Sequence, residues 1–213
     1  MKATAPLRFA LALCSCLALT IPSVADSLKT YDTLVAKAEA DGLSVDYTAL
    51  RAAYAASDRN DPLAFSMDQS MGQMMNAVTD GDCDKALESS EKVLKASFIN
   101  ILAHLVRSEC LSRKGELARA AREDTIVGGL RDSIFLSGDG DTKKTAYVVV
   151  TLDEERFVLL AKGLREAKQA LIQDEGHSYD LIDGKSKDGT TRSVYFQIDA
   201  ITAAEARLFG GKR

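Results

Sequence analysis

Gly129-Leu130-Arg131-Asp132-Ser133-Ile134, Ser137-Gly138-Asp139-Gly140, Thr145-Ala146-Tyr147-Val148-Val149-Val150 and Glu154-Glu155 follow one another where the chain changes its period. Up to Leu136 the apolar residues recur at helical spacing, and 116–136 reads as one long helix, weakened near Gly128-Gly129. The helix stops at Ser137-Gly138, where glycine suits the left-handed residue past a helix end. Beyond it, Thr145 to Thr151 is β-branched and continuously apolar at its centre, as a buried strand is. Thr151-Leu152-Asp153-Glu154 then matches a capping box, with Thr151 as the cap and Glu154 reaching back. A short helix should follow, with Phe157 and Leu160 inward and Glu155 toward water. Helices before this stretch and strands after it predict an α+β protein.

Downstream, Ser186-Lys187-Asp188-Gly189-Thr190-Thr191 is a hairpin turn signal. Tyr179 to Asp183 leads into it, and Val194, Phe196 and Ile198 alternate on the way out. Leu164 to Gln173 is helical by propensity. The expectation is a small, mostly antiparallel β-sheet with a short helix, over 141–201, followed by a C-terminal tail, 202–213.

Upstream, residues 26–140 read as a helical, repeat-like part. Short helices are expected over Tyr31–Asp41 and Tyr47–Ser57, and Asp61-Pro62 offers a cap with proline in the first turn. Met67, Met71, Met74, Met75 and Val78 then form a stripe that is either core or an adaptable groove. Gly81-Asp82-Cys83-Asp84-Lys85-Ala86 is echoed 34 residues on by Gly115-Glu116-Leu117-Ala118-Arg119-Ala120, the tetratricopeptide period. One unit plus the first helix of a second predicts a tetratricopeptide-like bundle and no long array. Cys83 opens one helix of the pair and Cys110 lies near the end of the next. An antiparallel arrangement brings them side by side as a disulfide; two small buried thiols are the alternative.

Several of these segments resemble a bacterial family of exported proteins, domain of unknown function 4919. Gly129 to Gly140 carries the resemblance most specifically. Asp46-Tyr47-Thr48-Ala49-Leu50-Arg51-Ala52-Ala53-Tyr54 is similar to the family's N-terminal motif, and Ile101-Leu102-Ala103-His104 to a recurring apolar-Ala-His element. The likeness runs from about Asp46 to Asp199. It implies a fold and a compartment but no activity, and it implies a strand over Leu164–Gln173. The family often places another His on the helix before Gly129; here Ala120-Ala121-Arg122-Glu123-Asp124-Thr125 has none.

The N-terminus reads as a targeting segment, 1–25. Lys2 and Arg8 precede an apolar stretch from Phe9 to Leu19, and Ser23-Val24-Ala25 suits signal peptidase cleavage before Asp26. Cys14 and Cys16 lack the small preceding residues of a lipoprotein signal, so a lipid anchor is the lesser expectation. The mature chain would hold 188 residues (213 − 25), enough for one core. It would carry 25 basic residues (27 − 2) against 31 acidic ones, scattered and without interleaved aromatics, which disfavours nucleic acid. No later segment is long and apolar enough to span a bilayer, so a periplasmic or secreted protein is expected.

Nucleophile elbows, His-Glu-x-x-His, Cys-x-x-Cys and phosphate loops are absent from the sequence. His104 and His177 are its two histidines; His104, beside an apolar stripe, reads as a buried, hydrogen-bonded residue or as an acid–base group working with Asp139 or Asp141. Asp80, Asp82, Asp84 and Glu91 fall at EF-hand positions 1, 3, 5 and 12, but Lys85 occupies the position that needs glycine. Helix capping by Asp82 explains the same residues. Ser137, Gly138, Asp139, Gly140 and Asp141 form either a plain connector or an anion nest with two carboxylates for a cation. No cofactor is expected. The leading expectation is a non-catalytic binding or scaffolding module of the cell envelope, with an envelope protein or peptide as partner. An enzyme using His104 and a calcium-stabilised module are the alternatives.

Overall fold

A computed structural model describes residues 23–61 and 69–210. The targeting segment through Pro22, including Cys14 and Cys16, lies outside the described residues, as do Pro62 and Met67. Among the described residues, six helices build the N-terminal part: α1 (Val24–Ala40), α2 (Tyr47–Ala56), α3 (Gln69–Thr79), α4 (Cys83–Ala96), α5 (Ile101–Arg113) and α6 (Leu117–Phe135). Short polar side chains start four of them. Ser23, Asp46, Asp82 and Asn100 each accept a hydrogen bond from the amide three residues on, satisfying a donor the first turn leaves open.

The 34-residue echo is a repeat of backbone geometry. Gly81 and Gly115 both have positive φ, +72° and +78°, and the following amides bond back to Ala77 and Leu111 at 2.9 Å. Ala86 and Ala120 are both buried, letting neighbouring helices approach closely. Met74, Ala77, Ala86, Val93, Ala103, Val106 and Cys110 form the small core of α3, α4 and α5. Of the methionine stripe, Met74 is buried, whereas Met75 and Val78 are exposed. Cys83 and Cys110 are joined, with Cα atoms 5.2 Å apart, so the bridge ties the start of α4 to the end of α5.

After a 3-10 turn (Lys143–Thr145) come β1 (Tyr147–Val148), α7 (Leu152–Ala161), β2 (Arg165–Asp174), β3 (His177–Lys185), β4 (Thr191–Gln197) and α8 (Asp199–Gly210). The sheet order is β1-β4-β3-β2; β4-β3-β2 is antiparallel and β1 joins β4 in parallel. The molecule is thus α+β, with a mixed, mostly antiparallel sheet after the helices. Its larger core runs from Leu50, Tyr54, Leu130 and Ile134 on the helices to Val149, Val158, Ile182 and Phe196 beside them.

Several expectations change, among them Leu160, expected inward on α7 but exposed. Residues 202–210 are no tail but most of α8, which buries Ile201 and Ala204 and sends Arg207 to the Ala55 carbonyl at 3.0 Å. The strand expected over 145–151 is ladder-paired only at Tyr147 and Val148; Val149 and Val150 are buried beyond it. Gly140, not Gly138, takes the left-handed conformation (φ +77°). Gly138 is needed for close approach, since a Cβ there would run into the Thr145 carbonyl oxygen. Glu155 is 4% exposed, packed toward the sheet and away from water.

Candidate functional site

A groove of about 810 Å³ opens between α1, α4, α5 and α6. That lies within the roughly 300–1,000 Å³ typical of ligand sites. Helical spacing puts its walls in place. Leu87, Glu91 and Leu94 recur along α4; Arg119, Arg122, Glu123 and Ile126 along α6; Tyr31, Asp32, Val35 and Glu39 along α1. His104 and Arg107, one turn apart on α5, complete it with Phe98. The helices that follow Gly81 and Gly115, α4 and α6, both line the groove. The Phe98 amide donates to the Tyr31 hydroxyl at 3.0 Å, which fixes α1 at its edge. Burial pushes that phenol well above the ordinary tyrosine range.

The buried wall is a relay. His104, 1% exposed, sets Nδ1 2.6 Å from Glu123 Oε2 and Nε2 2.7 Å from the Phe98 carbonyl. A carbonyl only accepts, so Nε2 carries a proton. Glu123 Oε1 takes the Arg107 Nε–H at 2.7 Å. Burial pushes the Glu123 carboxyl up, but the hydrogen bonds and charges of His104 and Arg107 outweigh it and hold it below its ordinary value. Both ring nitrogens are engaged by the protein, and Glu123 stands in the stretch of α6 where the family resemblance implied a histidine.

The Ser137–Asp141 stretch is a separate place. Twelve residues of α6 separate Glu123 from Phe135, about 18 Å of helix, and the loop lies beyond that. Its polar groups are largely consumed. Asp139 and Gly140 amides donate to the Thr145 carbonyl at 3.0 and 2.8 Å, and the Asp141 amide to Asp139 Oδ1 at 2.9 Å. Ser137 Oγ donates to Ile134 O and accepts from the Val148 amide at 2.9 Å. Hydrogen bonds from the Thr145 hydroxyl and the Asp141 amide lower the Asp139 carboxyl. The geometry is that of a connector clamping α6 to β1.

Asp80, Asp82, Asp84 and Glu91 are not gathered. Asp82 caps α4 and pairs with Lys85 at 2.9 Å, Asp84 pairs with Lys114, and Glu91 lines the groove. No group of three or more His, Cys, Asp or Glu among the described residues is arranged to hold a metal ion. His177, on the β2–β3 hairpin, pairs with Asp199 at 2.6 Å and stays half-exposed.

Adjacent glutamates on α7 face different surroundings, and the first of them joins the two parts. Glu154 accepts from Arg51 Nε and Nη2 at 2.8 and 2.7 Å, and Arg51 also reaches the Ser133 and Val148 carbonyls at 3.1 and 2.7 Å. The Val150 amide donates to Glu154 Oε2 at 2.8 Å, so the side chain serves this cluster and does not close the capping box at Thr151. About 100° around the helix, Glu155 turns to the sheet, where Asp180 is also buried and takes Gln169 Nε2 at 2.6 Å. Burial, with the charge of Asp180, pushes the Glu155 carboxyl up to about 9; its Oε1 has no hydrogen-bond partner among the described residues. Sequence reasoning missed both Arg51–Glu154 and the Glu155–Asp180 contact.

A helical groove docked on a mixed sheet through Arg51 and Glu154 defines the class: an α+β protein whose motif residues serve the joint between its parts. The chain belongs to the family described as Domain of unknown function (DUF4919), whose model matches residues 23–207 and so takes in α1 and most of α8. Nothing among the curated proteins or the solved structures matches the chain.

Proposed function

We propose that the protein is an exported, non-catalytic binding module of the cell envelope, whose ligand, an envelope protein or peptide, occupies the groove of α1, α4, α5 and α6. The observation that carries this reading is the groove itself: an open concavity with apolar side chains from three helices and charges of both signs. Helical repeats use such concave faces for partners. His104 is committed to Glu123 and Phe98, which favours a binding role over proton transfer to a substrate. Export is supported by the Cys83–Cys110 bridge, since such bonds persist in oxidising compartments. Residues 23–26 are exposed and Ser27 is the first buried residue of α1, so cleavage before Asp26 would remove no core side chain.

Native mass spectrometry on protein released gently from an envelope fraction, without reductant, tests the reading. Wild type should retain an added mass that the exposed-residue variant Lys95→Glu/Arg122→Glu loses, with the bare mass giving the Asp26 start. Identical spectra for the two proteins, with or without an adduct, would overturn the groove as the site.

A further inference from the structure

Within the groove, and resting on the proposal that it is the binding site, the charges are sorted into spent and free. Asp32 is paired with Arg59 at 3.4 Å, and Glu88 with Lys92 at 2.8 Å. Arg107 is different. Its Nε is pinned to Glu123, which His104 pins in turn to the Phe98 carbonyl, while Nη1 and Nη2 make no hydrogen bond among the described residues. A guanidinium held by one edge, with its side chain 18% exposed, presents its remaining N–H groups without an ordering cost. Arg122, on α6 in the same groove lining, is exposed and forms no ion pair among the described residues, although its charge helps lower the Asp41 carboxyl. Glu91 and Lys95 on α4 and Glu39 on α1 also line the groove without an ion pair among the described residues.

We propose that Arg107, oriented by Glu123 and His104, together with Arg122, binds the carboxylate of a zwitterionic peptide whose ammonium group faces Glu91 and Glu39. Arginine forks match carboxylates in two parallel hydrogen bonds. A polyanion would bring negative charge against Glu91 and Glu39, and a polycation would meet the two arginines, so charge complementarity selects a ligand bearing one group of each sign. Leu87 and Leu94, one turn to either side of Glu91 on α4, supply apolar contact for the rest of the peptide.

The test follows side-chain Nε–H signals of Arg107 and Arg122 by NMR, titrating full-length mature protein with the tripeptide Ala-Ala-Leu. The free acid should shift both signals saturably. Its C-terminal amide should bind about tenfold more weakly, as loss of a charge-assisted bidentate contact requires, and its N-acetylated form should also weaken. Inorganic phosphate at equal concentration should not displace it. Arg107→Lys, which keeps the charge and loses the fork, should weaken the acid without altering the circular dichroism spectrum, whereas Lys187→Ala on the β3–β4 turn should change nothing. Equal binding of acid and amide, with shifts confined to the Leu87 and Leu94 methyls, would overturn this inference while leaving the groove as a site. Phosphate binding as well as the peptide acid, or arginine signals that move for no probe, would overturn it too; the adduct test above reads the groove independently.

Discussion

Arg51 spends its guanidinium on Glu154 and on two carbonyls from α6 and β1, in a place 4% exposed. Removing one member leaves a buried charge without its partner, so Glu154→Gln should cost about 3–5 kcal/mol in urea unfolding at neutral pH. Arg51→Met/Glu154→Met should cost clearly less than the sum of its single variants, because neither charge is then stranded. Glu155 behaves in the opposite sense. Its folded pKa is raised from 4.5 to about 9, by burial first and then by Asp180 and Glu166, with Arg156 opposing weakly. The folded state thus holds a proton that the unfolded state releases, and stability is full below about 4.5 and falls as pH rises toward 9. Melting temperature should decline across that window in wild type and decline less in Glu155→Gln; parallel profiles would remove Glu155 as the cause.

Two neighbouring glycines of α6 separate propensity from packing. Nothing lies near a Cβ built on Gly128, whereas one built on Gly129 would land inside the Tyr47 ring, where α2 crosses α6. Gly128→Ala should stabilise by about 0.5–1 kcal/mol, and Gly129→Ala should destabilise by at least about 1–3 kcal/mol. Urea midpoints check both signs. The same contrast explains how much the sequence revealed. The helix starts, the 34-residue echo and the cysteine pairing were legible because each depends on neighbours in the chain. β2 was legible only through the family resemblance, which implied a strand over Leu164–Gln173: Arg165, Glu166, Ala167, Lys168, Gln169, Ala170 and Leu171 are all helix formers, and pairing with β3 imposes the strand. α8 was not legible: Ile201 and Ala204 are buried but Leu208 and Phe209 are exposed, so its apolar residues do not mark one face. Glu155 looked solvated because its burial depends on where β3 passes. The groove stayed hidden for a related reason, its cations coming from α4, α5, α6 and the residue after α2 that carries Arg59.

Across the whole molecule, the bridge and the buried cluster act on different regions. Reducing Cys83–Cys110 frees a loop of 27 residues' separation, an effect of about 3–4 kcal/mol in the chain-entropy model. Reductant should therefore lower the melting temperature and add 2 Da to the intact mass, and a melting temperature indifferent to reductant would show that α4 and α5 hold without it. Arg51, by contrast, looks out of the helical part altogether, toward a glutamate that the chain supplies 103 residues later. A fragment severed after Gly140 would keep that arginine among Ser133 and its neighbours with no carboxylate to meet it, and the other piece would carry Glu154 in search of a cation. The two architectural parts are consequently not interchangeable modules: this chain can be swapped or transplanted only whole, and an expression boundary drawn where helices give way to strands would cut through a buried ion pair.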